Sequence, residues 1–456
     1  MQVGRLRLGS GPVEEFLAVA ARTPDHPAIV HDGHAMTYAE LRVRALAVAD
    51  RLGDTPGVVG VPATRTPHTI VALLGVWLAG GAYCPLDPTF PTDRLARMRA
   101  ACDAVVGEPA YVLFTSGSTG TPKPVATPVG AIATVTRALR DLFRITPADR
   151  VLQFASLNWD TCFEEILPTL TAGATLVLDA DAHTGSFGRF LRMVDRAEVT
   201  VLDLPTAFWH ELVHHLTEDA ATLPDRVRLV VTGGEAVSPA RLADWLTLGT
   251  GATLLNTYGC TETTLITHAT ELAELPAATG KVPIGHALPH VDELVEDGEL
   301  LVGGPALATG YPGHPDQTTA KFVTRAGRRY FRTGDRVSRR ADGMLVHEGR
   351  LDGEVKIRGI RVDPAEVEAH LAGHPAVAEA AVAGVRRANH TTLAAYVVVR
   401  VPIEPAEILA ELRTRVPNHL VPSRLTVVPE LARTPSGKVD RAGTHAAGQL
   451  VREGNR

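Results

Sequence analysis

The stretch from Tyr111 to Val125 reads YVLFTSGSTGTPKPV and changes character at Thr115. Its first four residues are apolar, as in a buried strand of a parallel sheet. The eleven residues from Thr115 onward contain four Gly or Pro residues, five hydroxyl side chains and one lysine, which is typical of a loop. Hydroxyls, open backbone N–H groups and a lysine at the carboxyl end of a strand suit a polyphosphate.

This loop is not a Walker A motif. Lys123 follows Thr121 and Pro122 rather than a glycine, and no Ser or Thr comes after it. The stretch therefore predicts a nucleotide site outside the P-loop NTPase class. An ordinary surface loop is the alternative that this stretch alone leaves open.

The composition is that of a globular protein with a large core and two or more domains. The chain has 456 residues, 45% of them hydrophobic and 21% charged, and its net charge is −6. This charge implies no general affinity for nucleic acids or membranes. The four cysteines lack CxxC spacing and the N-terminus lacks an apolar signal core, so we expect reduced thiols in a cytoplasmic protein.

The uncharged stretch from Thr69 to Leu86 is nearly long enough to span a bilayer. Gly80, Gly81 and Pro85 interrupt it, however. We interpret it as a buried helix followed by a strand.

Helix-like stretches alternate with short apolar runs through the first three hundred residues, which predicts α/β layering. Short strands and turns dominate from about Glu299. After Arg350 the pattern changes again, to a helix (364–371), strands (377–385 and 393–399) and a second helix (405–416). The sequence therefore predicts a large N-terminal α/β domain with layered sheets, residues 1–350, and a small α+β C-terminal domain, residues 351–456.

Four further segments add chemistry to the phosphate loop. YGCTETT (258–264) offers a flat aromatic face for a purine, and Glu262 in it is a hard oxygen ligand suited to Mg²⁺. FRTGD (331–335) places a carboxylate where a ribose diol could donate hydrogen bonds. GRLDGEVKIRG (349–359) lies at the domain boundary, and PSGKVDR (435–441) puts Lys438 on a Pro/Gly turn. Each segment alone also fits an ordinary surface loop.

In this order the segments resemble the adenylate-forming superfamily, which contains acyl-CoA ligases, luciferases and the adenylation domains of nonribosomal peptide synthetases. The resemblance runs over nearly the whole chain, from TPDHPAIV (23–30) to PSGKVDR. AGGAYCPLDPTFPTDR (79–94) and VKIRGIRVDPAEVE (355–368) are similar to the amino-acid-activating branch. The implied cofactors are ATP and Mg²⁺.

The resemblance implies a role for each matching residue. Thr115, Ser116, Thr119 and Lys123 would hold the β- and γ-phosphates of ATP. Tyr258 would stack on adenine with Asn256 near its amine, and Glu262 would bind Mg²⁺. Asp335 and Arg350 would hold the ribose, and Lys438 would bridge the substrate carboxylate and the developing acyl phosphate. The small domain would be mobile and rotate about Asp352, bringing Lys438 in for adenylation and removing it for thioester formation.

Three departures from the family pattern stand out. Pro124 occupies a usual glycine position and removes a backbone donor from the phosphate loop. The segment between Arg94 and Tyr111 is shorter than usual, which puts the edge of the N-terminal layer in doubt. The sequence at Val362–Pro364 also differs from the one usual in the family.

The substrate pocket implied by the resemblance begins at Asp160, which would pair with an α-ammonium group. The remaining implied pocket residues are Thr161, Glu164, Asp203, Val231, Gly233, Thr257, Leu265 and Ile266. If the segment after Asp160 is helical, Asp160 and Glu164 are i,i+4 neighbours that repel each other unless a cation arrives. The alternative is that Glu164 points to water. This pattern resembles lysine-activating pockets, so we expect lysine, β-lysine, ornithine or arginine as the substrate.

Three functions remain in competition: an amino-acid adenylating enzyme, an acyl- or aryl-CoA ligase, and a non-catalytic adenylate-binding module. Asp160 argues against the acyl- or aryl-CoA ligase. The presence of Lys123, Glu262, Asp335 and Lys438 argues against the non-catalytic binding module. Pyrophosphate exchange separates the module from the enzymes, and the choice between CoA and a carrier separates the enzymes. Because only residues 442–456 follow PSGKVDR, we expect a separate peptidyl carrier protein as acceptor. Any need for a small activator protein stays open.

Overall fold

The computed structural model describes residues 11–116, 122–273, 280–352, 354–357, 359–387, 390–433 and 439–453. The chain divides into two compact units. The first contains Met1–Asp87, Ala101–Leu113 and Pro124–Leu351, and the second contains Pro88–Ala100, Phe114–Lys123 and Asp352–Arg456. Two short segments from the first third of the chain thus belong with the C-terminal residues. The predicted α/β class, with a large N-terminal and a smaller C-terminal part, is confirmed.

The helices alternate with strands through the first 250 residues and are sparser afterwards. They are α1 (Pro12–Arg22), α2 (Tyr38–Leu52), α3 (Pro67–Leu78), α4 (Thr92–Cys102), α5 (Val129–Phe143), α6 (Thr161–Ala172), α7 (Phe187–Arg196), α8 (Thr206–Glu218), α9 (Pro239–Leu248), α10 (Pro315–Lys321), α11 (Pro364–Ala372), α12 (Pro405–Arg415) and α13 (Arg441–Glu453).

The strands of the first half are β1 (Pro27–His31), β2 (His34–Thr37), β3 (Val58–Pro62), β4 (Ala82–Leu86), β5 (Pro109–Thr115), β6 (Lys123–Pro128), β7 (Arg150–Leu152), β8 (Thr175–Leu178), β9 (Val201–Pro205), β10 (Leu229–Gly233), β11 (Thr253–Gly259), β12 (Ile266–Glu271) and β13 (His286–Ala287). Nine of them form one sheet in the order β13-β12-β11-β10-β9-β7-β8-β1-β2, and four form a second in the order β3-β4-β5-β6.

The remaining strands are β14 (Asp292–Glu296), β15 (Glu299–Gly303), β16 (Phe322–Arg325), β17 (Arg328–Arg339), β18 (Leu345–Arg350), β19 (Val355–Ile357), β20 (Ile360–Val362), β21 (Val377–Arg387), β22 (His390–Val399) and β23 (Arg424–Val427). They form a five-stranded sheet (β14-β15-β17-β16, with β18 beside β17), a hairpin (β19-β20) and a three-stranded sheet (β21-β22-β23).

The stretch from Thr69 to Leu86 folds as the sequence predicts. It forms most of α3, which buries Ile70, Leu73 and Leu74, and then the fully buried strand β4. Within the described ranges, no helix combines the length and the apolar composition that a membrane span requires.

The centre of the nine-stranded sheet is parallel and apolar on both faces. Successive residues of β10 point to opposite sides, so Val230 packs in one hydrophobic cluster and Val231 in another. Helix α6 covers the face of Val231 with Phe163 and Ile166, which belong to the same cluster. A polar side chain on that face therefore meets α6 rather than water.

Asp149 ties the start of this sheet together. Its carboxylate accepts hydrogen bonds from the backbone N–H and hydroxyl of Thr146 (2.8 and 3.0 Å), the hydroxyl of Thr200 (2.8 Å) and two guanidinium nitrogens of Arg228 (2.7 and 2.9 Å). Arg228 also donates to the carbonyl of Phe143. Burial raises the pKa of Asp149, but these donors outweigh it and hold the pKa below its ordinary value.

We expect Asp149→Asn to lower the free energy of unfolding by about 2–3 kcal/mol near neutral pH, because charge-assisted hydrogen bonds are lost. A carboxyl group whose pKa is depressed in the folded state stabilises the folded protein at pH values above its unfolded pKa. The difference in stability between the wild type and Asp149→Asn should therefore shrink below about pH 4. Urea unfolding across this range measures it. Asp141→Asn, an exposed change on α5, is the control, and equal losses in both variants would contradict the assignment.

Candidate active site

Three adjacent parallel strands place four predicted pocket residues on one face of the sheet. In the register, Asp203 of β9 lies beside Val231 of β10, and Gly233 of β10 lies beside Thr257 of β11. Register partners share a face, and so do residues two apart on one strand. A Cβ on Gly233 would lie 2.5 Å from Oγ1 of Thr257, so glycine is required for this close approach.

Helix α6 brings two more carboxylates to that face. Asp160 is its N-cap residue and accepts a hydrogen bond from the N–H of Thr161 at 3.1 Å. Glu164 follows one turn later. The side chains of Asp160 and Glu164 are only 8% and 6% exposed, so the alternative in which Glu164 points to water is wrong.

Burial raises the pKa values of all three acids. Burial raises the pKa of Asp160 to about 6, helped by the charge of Glu262 and opposed by the hydroxyl of Thr261. Burial, and then the charges of Asp203 and Asp160, raise the pKa of Glu164 well above its usual range. Burial raises the pKa of Asp203 to about 7. In the described part of the chain, Oδ2 of Asp203 is buried without a hydrogen-bond partner. Among the described residues, no cationic side chain pairs with these three acids.

Glu165 is a fourth buried acid that the sequence interpretation missed, and its surroundings differ. Its carboxylate accepts hydrogen bonds from the backbone N–H groups of Phe154 (2.9 Å) and Ala155 (2.8 Å) and from the side-chain amide of Gln153 (3.0 Å). It thereby fixes the chain leaving β7 against α6. The paired acids in FEEIL were the available signal, but their pattern does not show which one turns inward to backbone donors.

Three of the predicted adenosine residues of the first unit form one hydrogen-bonded group. The hydroxyl of Tyr258 donates to Oδ2 of Asp335 at 2.6 Å, and Arg350 donates to Oδ1 of Asp335 at 3.1 Å. His347, absent from the sequence interpretation, lies 2.9 Å from the same Oδ1 through Nε2. The register of β17 and β18 sets this geometry, because Asp335 and Arg350 are direct partners.

A second histidine, His268, packs against the ring of Tyr258. His268 lies opposite Tyr258 in the β11–β12 register, with the two rings edge to face at 5.7 Å. Its ring nitrogens lie 2.9 Å from the hydroxyl of Thr267 and 2.9 Å from Glu293. Asn256, another predicted adenine residue, is buried and donates to the carbonyl of Pro283 at 2.7 Å.

Glu262 lies beside the acid cluster and is 1% exposed. Its Oε1 accepts a hydrogen bond from the hydroxyl of Tyr311 at 2.8 Å. Within the described ranges, no group of three or more His, Cys, Asp or Glu side chains is arranged as a metal site. A single carboxylate still suits Mg²⁺, which proteins commonly bind through one or two carboxylates together with substrate phosphates. Glu262 as its ligand stays a prediction.

Backbone strain marks the turn that carries Leu265 and Ile266. Thr264 and Leu265 have φ values of 57° and 67°, which are unusual for residues with side chains. A Cβ on Gly259 would collide with the carbonyl oxygen of Leu265. Both Leu265 and Ile266 are buried, and strain held in this way is characteristic of functional sites.

The described phosphate-loop residues belong to the second unit. The hydroxyl of Ser116 donates to the carbonyl of Arg361 and accepts from the N–H of Asp363, both at 3.0 Å. Thr115 lies 3.5 Å from the carbonyl of Lys123. Asp352, the predicted hinge, accepts from the N–H of Glu354 at 3.3 Å. Thr119 and Lys438 lie outside the described residues.

Three acids carried by α6 and β9, together with the Tyr258–Asp335–Arg350 group, form the candidate active site of the first unit. Comparisons with known proteins show the family to which the chain belongs. The AMP-binding enzyme family matches residues 16–107 and 106–312, and the C-terminal domain of AMP-binding enzymes matches residues 366–438. The chain belongs to the AMP-binding enzyme family and is an adenylate-forming ligase of the kind found in nonribosomal peptide synthetases.

An isonitrile lipopeptide synthase from Streptomyces coeruleorubidus is 39% identical over 94% of this chain, which spans 33% of that protein's length. An artificially fused adenylation–PCP di-domain from Klebsiella oxytoca has a TM-score of 0.81 at 24% identity, over 92% of this chain and 94% of that one. The o-succinylbenzoate CoA synthetase from Bacillus subtilis has a TM-score of 0.84 at 21% identity, over 95% and 98%. The two structures show the shared fold.

We expect Asp203→Asn to stabilise the ligand-free protein. The folded pKa of Asp203 is about 7, above its ordinary value, so the wild type loses stability as pH rises from about 4 to about 7. The asparagine variant lacks this loss. Its free energy of unfolding should therefore exceed that of the wild type by an amount that grows over the same pH range, to about 3–4 kcal/mol at most.

Urea unfolding at several pH values measures this difference. Asp195→Asn, an exposed change on α7, is the control and should follow the wild type. A pH profile of Asp203→Asn that runs parallel to the wild type would show that Asp203 is not a buried, uncompensated acid.

Proposed function

We propose that this chain activates an amino acid with a second cationic group. It joins the carboxylate to AMP, releases pyrophosphate, and passes the aminoacyl group to the phosphopantetheine thiol of a peptidyl carrier protein acting in trans. The observation that carries the proposal is the cluster of Asp160, Glu164 and Asp203. Asp160, Glu164 and the Oδ2 atom of Asp203 are buried, and no ion pair compensates the cluster within the described part of the chain.

The cluster suits a substrate with two ammonium groups. Asp160, at the start of α6, would receive the α-ammonium, since it is the acid next to Glu262 and the nucleotide residues. Glu164 and Asp203 would receive the distal ammonium. Val231 and Gly233, on the same face of the sheet as Asp203, would line the path of the methylene stem between them. A neutral substrate would leave these acids buried and unpaired, at a cost on the order of 3–5 kcal/mol if they stay ionised.

The nucleotide residues suit ATP. Tyr258 offers its ring to adenine, and Asp335 with Arg350 offers hydrogen-bonding groups to the ribose. Thr115, Ser116, Thr119 and Lys123 would hold the phosphates, and bound Mg²⁺ at Glu262 would neutralise charge on them. The substrate carboxylate then attacks the α-phosphorus, the bond to the bridging oxygen of pyrophosphate breaks, and catalysis is mostly positioning and charge neutralisation.

Lys438 and Asp352 complete the proposal. Lys438 would offset the repulsion between the carboxylate and the phosphate in the first half-reaction. Rotation of residues 351–456 about Asp352 would withdraw Lys438 and admit the thiol. An acyl- or aryl-CoA ligase stays the alternative, because the o-succinylbenzoate CoA synthetase shares the fold. Asp160 and the two further acids favour the amino acid.

Pyrophosphate exchange with lysine, ornithine, arginine, leucine and glutamate tests the substrate class. We expect a preference of roughly a hundredfold or more for a cationic amino acid over leucine. Glu164→Ala and Asp203→Ala should each reduce that preference, because the distal ammonium loses a partner. The exposed change Asp195→Asn serves as the matched control. Leucine turning over as well as the best cationic substrate, or a preference that survives both pocket changes, would refute the assignment.

Lys438→Ala should nearly abolish adenylate formation but spare thioester formation from supplied aminoacyl-adenylate. The reason is that a lysine on a mobile domain serves only the half-reaction for which it is brought in. The first step is measured by pyrophosphate exchange, and the second by loading of a carrier protein and of CoA in parallel. Equal losses in both half-reactions would rule out the domain rotation, and loading of CoA alone would favour the ligase alternative.

A further inference from the structure

Two of the four cysteines, distant in sequence, lie next to each other within the first unit. Cys84 is in the middle of β4, and Cys102 is the last residue of α4. Their Sγ atoms are 3.7 Å apart, and no disulfide joins them. A disulfide bond has a length of about 2.05 Å, so a shift of less than about 2 Å would allow the bond to form.

Cys102 has the features of an attacking thiol. A hydrogen bond with Cys84 lowers the pKa of Cys102, while burial and the charge of Asp103 oppose the shift. Cys102 is half-buried and lines a cavity of about 480 Å³ together with Thr55, Gly80 and Glu108. Cys84 is fully buried. A small reagent can therefore reach Cys102 first, and Cys84 is in place to react second.

We propose that Cys84 and Cys102 are an oxidisable dithiol. The two residues form a reversible disulfide bond with each other, and a low-molecular-weight disulfide is the oxidant. The thiolate of Cys102 attacks one sulfur of the reagent and releases one thiol. Cys84, on losing its proton, attacks Sγ of Cys102 in the mixed disulfide and releases a second thiol. The protein loses two electrons and two protons, and the reagent gains both as two thiols.

The disulfide would bracket a segment that belongs to the second unit. Residues 88–100 lie between the two cysteines, and in them Arg94 forms an ion pair with Glu366 at 2.8 Å. Both side chains are almost completely buried, at 4% and 0% exposure. Phe90 of the same segment lies against His419. A bond between Cys84 and Cys102 restrains both ends of this segment. Oxidation would therefore limit the motion of Phe90 and Arg94, which contact residues of the C-terminal part. This inference does not depend on the substrate.

Peptide mapping by mass spectrometry after treatment with oxidised glutathione tests the chemistry. In the wild type we expect a cross-linked pair of peptides containing Cys84 and Cys102, which dithiothreitol reverses. In Cys84→Ala the resolving thiol is missing, so Cys102 should retain glutathione. In Cys102→Ser the attacking thiol is missing, so the buried Cys84 should form no cross-link and retain no glutathione. A wild-type protein that stays unmodified, or that keeps glutathione on Cys102 without a cross-link, would overturn the proposal.

Hydrogen exchange tests the structural consequence on the same samples. Amides of residues 85–101 should exchange roughly tenfold more slowly in the oxidised wild type than in the reduced one. Oxidant should leave exchange in Cys102→Ser unchanged. Equal exchange in oxidised and reduced wild type would show that the disulfide does not restrain the segment.

Discussion

The site depends on one constraint, the parallel register of β9, β10 and β11 under α6. This register places Asp203, a residue that strands disfavour, on the apolar face where Glu164 already lies. The fold thereby holds like charges together in a place that water cannot fully compensate. The large hydrophobic core on both sides of the sheet supplies the stability that offsets this repulsion, as is common where a protein keeps a binding site preorganised.

In the proposed function, the same arrangement makes the affinity of the site depend on the charge of its ligand. An acid cluster without a cation is a poor environment for its own carboxylates, and the relief that a cationic ligand brings is available only to that ligand. Glu165 shows the contrast within one helix. It is equally buried, but three donors hydrogen-bond to its carboxylate, so it holds the chain leaving β7 in place.

The sequence predicted the fold class, the buried helix and strand at residues 69–86, and the ordered series of family motifs. It succeeded because hydrophobic period, Gly/Pro breakers and motif order are local properties of the chain. It did not predict His268 or His347, because their roles come from strand pairing with Tyr258 and Asp335. The orientation of Glu164 and the proximity of Cys84 and Cys102 were also hidden, since tertiary packing decides both. The roles assigned to the site residues, including Lys438 and Thr119, stay predictions.

The tight approach of Gly233 to Thr257 limits how the pocket can diverge. Any side chain at position 233 places its Cβ 2.5 Å from Oγ1 of Thr257, and 3.1 Å from the carbonyl oxygen of Thr257. Replacing Thr257 by a smaller residue removes the first conflict but leaves the second, because the carbonyl belongs to the backbone. The two positions are therefore coupled: a Cβ at position 233 meets both atoms while Thr257 is present, and after a change at 257 it still meets the backbone carbonyl oxygen at 3.1 Å.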